Sequence, residues 1–375
     1  MILGSLCFLI SSILVVAALW PFNPFPPNRV SWLSTDSGLR FDPDGIVQSS
    51  VVFRSSHSAG MAFCSLEISL EPAISNVPGS ETILAFYKPD DSTGFRLLQH
   101  FDEFLVQRDF IDGQHRLGTA EIKVIQAFNS PGRKLFTITS HSNGTAIYQD
   151  GKFAESNSGF GMTCESLSGQ VTLGNSSTAY DSWQGNVSGL AFYRQGLTPA
   201  QIMNHYQSWS RASGPGELKN DGLFGFYSFS EHGGRTIHNT VGDEPNLFIP
   251  STFSIPHKAF LELPWHEFSL SIAYLWDVSL NIAGFLPFGF FVCAYFDCDH
   301  SRKRAALITI VLGATVSLSF EILQGFLPTR SSGVTDIITN TVGTAIGVLL
   351  VSSSLAHKMF AKLRSCLTSI LGSLA

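Results

Sequence analysis

Long apolar stretches near both ends of this 375-residue chain predict helices that cross a membrane. A helix needs ~20 mostly apolar residues to span the hydrocarbon core. Four stretches approach or exceed that length, at about Ile2 to Trp20, Ile272 to Phe296, Ala305 to Leu327 and Val334 to Leu355. The proline-rich segment Pro21 to Pro27 then ends the first helix, because proline removes a backbone donor.

Between residues 28 and 213 the pattern changes to short β-rich runs separated by Gly, Asn, Asp and Ser. The runs are Ile46 to Phe53, Ala62 to Leu70, Thr82 to Lys88, Lys134 to Ser140 and Thr145 to Gln149. Such spacing is typical of an all-β sandwich or barrel. Asp150-Gly151 predicts a tight hairpin turn. Thr198 to Gln201 predicts the capped start of a helix, with Pro199 in its first position.

Charge is scarce and unevenly distributed. Only 14% of the residues are charged, whereas about a quarter is usual in globular proteins. The uncharged stretches coincide with the predicted spans, which excludes a purely soluble protein. The net charge of -6, without any basic block, argues against a nucleic-acid partner.

Basic residues orient the predicted spans. Arg302 to Arg304 lie between the second and third spans, and Lys358, Lys362 and Arg364 follow the fourth. The positive-inside rule makes both segments cytoplasmic, so residues 20–271 and 328–333 are expected outside the cell. The first apolar stretch is either a signal peptide or an anchor; we favour an uncleaved anchor, because its N-terminal region carries no charge.

Polar residues recur inside the last three spans. Each costs roughly 2.5 to 3.5 kcal/mol on insertion scales, so it requires an internal partner or a role. At helical spacings the sequence places Asp277 and Asn281 on one helix, Glu321 and Gln324 on the next, and Asp336, Asn340, Gly343 and Gly347 on the last. Gly343 and Gly347 form a small-xxx-small pattern that lets helices approach closely. With Arg330 on the short external loop, the polar groups predict a pocket that opens outward.

The order of these motifs resembles the VanZ-like membrane family. They are Asn281 to Gly289, Glu321 to Gln324, Arg330 and Asp336 to Gly343. The resemblance covers about the last 110 residues and includes the N-terminal span as the family's first helix, with the β-rich segment inserted after it. It implies a cell-envelope protein related to one associated with low-level teicoplanin resistance, and it implies no particular reaction.

The β-rich segment resembles a laminin-G-like, concanavalin-type jelly roll. The motifs are Ile147 to Lys152, Val171 to Asn175, Trp183 to Gly185, Ala191 to Tyr193 and Leu197 to Tyr206. The resemblance implies binding of a glycan or a protein, sometimes with calcium. Asp42 and Asp44 are either calcium ligands or a solvated turn. No other metal or cofactor is expected.

The predicted fold class is therefore mixed, an all-β jelly-roll sandwich plus an α-helical transmembrane bundle of about four spans. The domains are an anchor (1–20), the jelly roll (28–213), an external connector (214–270), transmembrane helices (271–356) and a cytoplasmic amphipathic tail (357–375). Within the connector, Gly222 to Pro250 resembles the opening strands of another jelly-roll unit, and we expect it to add strands to the sandwich. Cys64 and Cys164 either form a disulfide or are two buried thiols.

Three functional hypotheses follow. In the first, the jelly roll binds an external glycan or protein and the pocket binds a membrane lipid or the headgroup of a lipid-linked envelope precursor. Arg330 would then pair with phosphate, while the polar residues Asp277, Asn281, Gln324 and Asn340 complete the site. In the second, Glu321 and Asp336 act as acid and base in a membrane enzyme. In the third, the polar groups only hold the helices together, as a scaffold without a ligand.

Sequence signatures leave enzymatic activity open. The chain has no Gly-x-Ser-x-Gly elbow, phosphate-binding Gly-rich Lys loop or Cys-x-x-Cys pair. His266-Glu267 begins a zinc-protease pattern, but Leu270 stands where the second His is required. We expect His266 and Trp265 at the outer membrane interface instead.

Overall fold

The computed structural model describes residues 2–51, 53, 63–75, 79–88, 91–111, 117–210, 221–242, 244–268, 272–297 and 300–351. The chain forms two compact units. The helical unit contains Met1–Pro24 and Ala259–Ala375, and the β unit contains Phe25–Lys258. The predicted tail, 357–375, and the basic residues Lys358, Lys362 and Arg364 lie outside the described residues.

The helices are α1 (Ile2–Leu19), α2 (Pro199–Ser210), α3 (Pro264–Glu267), α4 (Ile272–Phe296), α5 (Arg302–Gly325) and α6 (Val334–Val351). The strands are β1 (Val30–Trp32), β2 (Leu39–Phe41), β3 (Val47–Ser49), β4 (Ser65–Pro72), β5 (Glu81–Lys88), β6 (Asp91–His100), β7 (Glu103–Ile111), β8 (Leu117–Val124), β9 (Lys134–His141), β10 (Gly144–Gln149), β11 (Lys152–Asn157), β12 (Gln170–Leu173), β13 (Gly185–Tyr193), β14 (Leu223–Tyr227), β15 (Thr236–Ile237) and β16 (Leu247–Phe248). A short 3-10 helix covers Cys164–Leu167.

Among the described residues, α4, α5 and α6 are long and apolar enough to cross a membrane, and Leu3–Leu19 forms a shorter apolar helix. The chain is therefore an integral membrane protein, with three helices of spanning length where about four were predicted. α4 begins and ends where expected. α5 begins at Arg302, three residues before the prediction. The expected end of the last span, Leu355, lies outside the described residues.

Helices α4 and α6 approach so closely that their backbones touch. A Cβ atom at Gly343 would lie 2.3 Å from the carbonyl oxygen of Ile282, and one at Gly347 would lie 2.2 Å from that of Leu286. From the other side, a Cβ at Gly289 would lie 2.1 Å from the carbonyl oxygen of Thr344. The small residues on both helices thus make this packing possible.

Helix α1 packs against α4 and α5. Phe285, Phe288 and Phe320 form a buried cluster there, and side chains of α1 such as Ile10 and Leu14 pack on it. The N-terminal helix is therefore part of the helical unit even though the β unit separates it from α4 in sequence.

The β unit is a sandwich of two antiparallel sheets, which confirms the predicted architecture. The first sheet has the order β1-β2-β13-β4-β9-β10-β11, with β14 beside the second half of β13. The second has the order β15-β16-β3-β12-β5-β6-β7-β8. Alternate residues of β4, β9 and β13 face β5, β6 and β12 across an apolar core.

The segment that follows α2 completes the sandwich. Strand β14 extends the first sheet beside β13, while β15 and β16 extend the second sheet beside β3. The expectation that Gly222 to Pro250 adds strands is thus confirmed. The last residues of this segment lie beside the first residues of the β unit. Asn28 donates from its backbone to the carbonyl of Ser251 at 3.3 Å and from Nδ2 to that of Pro250 at 2.9 Å.

Local signals in the β unit act as their residue types predict. Asp150 and Gly151 have φ values of 52° and 76° in the turn between β10 and β11, the left-handed pair that a tight hairpin requires. Thr198 and Gln201 cap the start of α2 reciprocally. Cys64, immediately before β4, and Cys164 of the 3-10 helix are joined by a disulfide.

A buried polar cluster fixes α2 to the first sheet. The carboxylate of Glu67, on β4, accepts hydrogen bonds from Tyr193 at 2.7 Å and Trp209 at 2.9 Å, and it pairs with His205 at 3.0 Å. The other ring nitrogen of His205 pairs with Asp221 at 3.0 Å. Burial by itself lowers the pKa of His205, but its bonds to Glu67 and Asp221 outweigh that effect and raise the pKa above its usual value.

Candidate functional site

A cavity of about 580 Å³ lies among the helices of the helical unit. Its walls come from α1, α4, α5 and α6, together with Glu267 at the end of α3 and Arg330 and Ser331 on the loop before α6. The polar lining comprises Glu267, Tyr274, Asp277, Asn281, Glu321, Gln324, Arg330, Ser331, Thr335, Asp336 and Asn340. The volume falls within the range of about 300 to 1,000 Å³ that is typical of small-molecule sites.

Asn281 and Asp336 join α4 to α6 on one wall of the cavity. Nδ2 of Asn281 donates to Oδ1 of Asp336 at 2.7 Å. Asp277 lies one helical turn before Asn281 and lines the same wall. The bond holds the Asp336 carboxyl at the first turn of α6, where the helix dipole favours negative charge.

Two glutamates, on α5 and on α3, accept hydrogen bonds at the start of α6. Oε2 of Glu321, on α5, accepts the backbone N–H of Gly333 at 2.8 Å, and Oε2 of Glu267 accepts that of Thr335 at 3.2 Å. These backbone donors lack partners within a helix. The carboxylates therefore cap α6 and at the same time form part of the cavity wall.

The carboxylate of Glu267 lies directly against Gly333 in the loop before α6. A Cβ atom at Gly333 would lie 1.7 Å from Oε1 of Glu267. The chain before α3 also pairs with this loop, because Glu262 accepts the N–H of Val334 at 2.8 Å and donates its own to Ser332 at 2.9 Å. The segment that carries Glu267 is thus attached to the loop by backbone hydrogen bonds.

Gln324 and Arg330 hold the end of α1. Nε2 of Gln324 donates to the carbonyl of Ala18 at 2.9 Å. Nη2 of Arg330 donates to the carbonyl of Ala17 at 3.3 Å and also to that of Trp20. Carbonyl groups at a helix C-terminus lack intrahelical partners, so these two side chains satisfy the end of α1 beside the cavity.

Asn340 is buried, with 5% of its surface exposed. Its Nδ2 donates to Oγ of Ser317 on α5 at 2.9 Å. Its Oδ1 is buried and has no hydrogen-bond partner within the described part of the chain. The same holds for Oγ1 of Thr335. Both residues line the cavity, so two buried polar atoms in its wall lack partners.

The structure brings together in this cavity every intramembrane residue for which a catalytic or binding role was predicted. Glu321 and Asp336, as well as Asp277, Asn281, Gln324, Arg330 and Asn340, all line it. Gly343 and Gly347 lie at the contact between α4 and α6. Residues that were identified by helical spacing on three separate helices therefore line one cavity.

The sequence did not single out Glu267 or Thr335 as members of the site. Glu267 entered only as part of an incomplete zinc-protease pattern, and its partner here is a backbone amide 68 positions away. Thr335 precedes Asp336 and is one of several threonines in α6. A signal for Glu267 was its position as an acid shortly before an apolar span.

The calcium candidates of the β unit have partners of their own. Asp42 forms an ion pair with Arg40 at 3.5 Å, and Asp44 accepts a hydrogen bond from Tyr180 at 2.9 Å. Burial and the bond to Asp44 raise the pKa of Tyr180 to about 12. Within the ranges that the structure describes, no group of three or more His, Cys, Asp or Glu residues is arranged to hold a metal ion.

Comparison with protein families identifies the membrane part of the chain. Residues 223–357 match the VanZ/LLP1 family. The match begins at β14 and includes α3 to α6, so it contains most of the cavity wall. The C-terminal region is therefore a VanZ-like membrane domain. No curated protein matches the chain.

Solved structures with low sequence identity are similar to about half of the chain. The binding domain of botulinum neurotoxin serotype D is 12% identical over 49% of this chain and 46% of its own, with a TM-score of 0.34. The ligand-binding domain of the same serotype in complex with N-acetylneuraminic acid is 12% identical over 49% and 45%, with a TM-score of 0.36. The binding domain of Paraclostridial Mosquitocidal Protein 1 is 10% identical over 49% and 47%, with a TM-score of 0.36. The matched part spans less than half the length of these structures.

Proposed function

We propose that this protein binds the polar headgroup of a membrane lipid, or of a lipid-linked envelope precursor, in the cavity of its helical unit. The observation that carries the proposal is the cavity itself, about 580 Å³ in volume and lined by polar side chains from the three apolar helices α4, α5 and α6. Protein interiors leave few voids larger than a water molecule. Polar side chains that served only to hold helices together would not require such a space.

The interhelical hydrogen bonds support this proposal by fixing the cavity wall. Asn281 ties α4 to α6, Asn340 ties α6 to α5, and Gln324 ties α5 to α1. Binding sites are more effective when surrounding contacts hold their groups in place before the ligand arrives. The polar residues thus build the wall and also line the space within it.

We place the cavity in the external half of the membrane. The end of α1, the start of α4, the end of α5 and the start of α6 contribute to it. At the other end of the helical unit, Arg302 donates to the carbonyl of Val351 at 3.0 Å. Because the positive-inside rule makes the Arg302 end cytoplasmic, the cavity faces outward, and the β unit between α1 and α4 is also external.

We further propose that the β unit binds an external glycan or protein, in keeping with the jelly-roll motifs of its sequence. Together the two activities would place the protein in the cell envelope, where VanZ-type proteins are associated with glycopeptide resistance. A glycan array probed with the full-length protein tests the first part. Absence of any glycan signal would leave a protein partner for the β unit.

Lipid analysis of the purified protein tests headgroup binding. Gly284 lines the cavity, and a Cβ there would have its nearest neighbour, Leu14, 4.0 Å away. Gly284→Leu should therefore place a side chain in the cavity from a position where its Cβ atom meets no close neighbour. Ala283→Leu, at the exposed neighbouring position, is the matched control.

Mass spectrometry should find one lipid class enriched in the wild type and in Ala283→Leu but lost from Gly284→Leu. Equal lipid content in all three proteins would overturn the proposal.

Acid–base chemistry on the bound headgroup is a second candidate function, because Glu321 and Asp336 line the same cavity. Glu321→Gln and Asp336→Asn would then retain the lipid but abolish its conversion in a reconstituted membrane. Loss of the lipid itself from these variants would assign both residues to binding.

A further inference from the structure

We propose that the ligand recognised in this cavity carries a primary ammonium group. This inference rests on the proposed function, because it names the chemical class of the headgroup that the cavity binds. It differs from the phosphate contact expected from the sequence, which depended on Arg330 facing the ligand.

The balance of charged groups in the wall favours a cation. Four carboxyl groups line the cavity, those of Glu267, Asp277, Glu321 and Asp336. Arg330 is the single basic residue among the described residues of the lining, and its Nη2 atom is bonded to carbonyls at the end of α1. Charges in a low-dielectric setting are costly unless they are matched. A cationic ligand supplies the match, whereas a phosphate would add to the negative charge.

The unpartnered oxygen of Asn340 is a second and independent observation. Asn340 is 5% exposed and lines the cavity, while its Oδ1 has no hydrogen-bond partner among the described residues. A buried acceptor without a donor is unfavourable, because it has lost its hydrogen bonds to water. An ammonium group offers three N–H donors and no acceptor. It can therefore bond to the Asn340 oxygen and to the carboxylates of the wall.

An organic cation fits better than a metal ion. Within the described residues, no three His, Cys, Asp or Glu side chains converge as metal ligands. The four acids come from α3, α4, α5 and α6 and surround a space of about 580 Å³, which is far larger than one coordinated ion requires. The wall also includes apolar side chains such as Leu14, Phe285 and Phe320, which suit the carbon skeleton of an amphiphile.

Native mass spectrometry of the full-length protein in detergent tests the inference. The probes are phosphatidylethanolamine, its N-acetylated derivative, and phosphatidylglycerol. N-acetylation removes the positive charge but keeps the phosphate and the acyl chains. We expect phosphatidylethanolamine to bind at least about tenfold more tightly than either of the other two lipids, a difference of about 1.4 kcal/mol.

Charge-neutralising variants locate the interaction. Glu267→Gln and Asp336→Asn should each weaken phosphatidylethanolamine binding about tenfold, without changing the weak binding of the acetylated lipid. Asp297→Asn makes the same charge change just beyond α4, outside the cavity lining, and should have no effect. The lipid comparison needs no variant, so it remains decisive if one of these proteins fails to fold.

Competition with soluble ethanolamine distinguishes two sources of the ammonium group. Displacement of the lipid would indicate that the headgroup amine alone is recognised, and its absence would indicate that the whole lipid is required; both results support an ammonium site.

Equal binding of phosphatidylethanolamine and its acetylated derivative would overturn the inference while leaving headgroup binding intact. If Gly284→Leu does not reduce the binding of any of the three lipids, the proposed function would be overturned as well.

Discussion

Asn281 donates a hydrogen bond to Asp336 across the interface of α4 and α6, with 2.7 Å between Nδ2 and Oδ1. Interhelical hydrogen bonds in membrane proteins contribute about 0.6 kcal/mol on average and about 1.7 at most. We expect a double-mutant cycle with Asn281→Ala and Asp336→Ala to give a coupling energy in this range, measured by unfolding in mixed micelles. A cycle that pairs Asp336→Ala with Ser279→Ala is the control and should give none, since Ser279 bonds to Leu275 within its own helix. Zero coupling for the first pair would show that the bond does not persist in solution.

Glycine at the α4–α6 contact should be indispensable. In Gly343→Ala the new methyl group would lie 2.3 Å from the carbonyl oxygen of Ile282, and overpacking typically costs about 1 to 3 kcal/mol. Gly284→Ala adds the same atom to α4 in open space. It should stabilise the helix by up to about 1 kcal/mol, because alanine favours helix more than glycine does. Thermal unfolding in detergent measures both, and equal effects of the two substitutions would contradict the observed packing.

The disulfide between Cys64 and Cys164 should stabilise the β unit strongly, because it closes a loop with a sequence separation of 100 residues. In the chain-entropy description a loop of that length contributes about 4 to 5 kcal/mol. Replacing both cysteines with alanine should lower the unfolding free energy of the β unit by that order, as measured by hydrogen exchange of β4 and β13. Replacing Cys7 and Cys293, the free cysteines among the described residues, should leave this exchange unchanged.

His205 should make the β unit less stable as the pH rises. Its folded-state pKa is raised, so the folded protein binds its proton more tightly than the unfolded chain does. The resulting stabilisation is fully present below about pH 6.5, the unfolded value, and is lost as the pH rises through the folded-state pKa. Burial lowers the pKa of His257. Any effect of its protonation on stability therefore falls at lower pH than the effect of His205.

Protection of α2 and β4, corrected for intrinsic exchange, measures this loss. His205→Gln should remove most of the pH dependence above pH ~6.5, whereas His238→Gln should not, because the His238 side chain is 61% exposed. The same pH dependence in His205→Gln would assign it to another group.

The predicted residue ranges of the spanning helices agree closely with the observed ones, because apolar runs mark the part of the chain that lipid surrounds. α4 occupies the predicted residues, but α5 starts at Arg302. Hydropathy marks the hydrocarbon core rather than the helix end, and a basic cluster at a membrane surface continues a helix readily.

The sandwich was predictable as an architecture but not as a strand order. Runs with strong β propensity appeared in the predicted list, whereas β6 and β7, which contain charged and polar positions, did not. Their identity as strands depends on pairing with each other and with β5 and β8. Register and neighbour order arise from such pairings, which have no fixed spacing in sequence.

Convergence of the site residues was predictable, but their individual partners were not. Helical spacing placed Asp336 and Asn340 on one face, and both line the cavity. Arg330 was expected to contact a phosphate, whereas its Nη2 meets carbonyls of α1. Backbone donors and acceptors carry no sequence signal, so neither this contact nor that of Glu267 with Thr335 could be read from residue types.

The pairing of Asn28 with Ser251 and Pro250 has a consequence for the order in which the protein assembles during synthesis. α1 is synthesised before the β unit, yet it packs on α4, whose synthesis follows that of the entire β unit. Bringing two helices together across a long unfolded segment has an entropic cost that grows with its length. Once the β unit has folded, Asn28 and Ser251 lie side by side, and the separation is reduced to two short linkers. We therefore expect the helical unit to assemble after the β unit, although α1 is made before it.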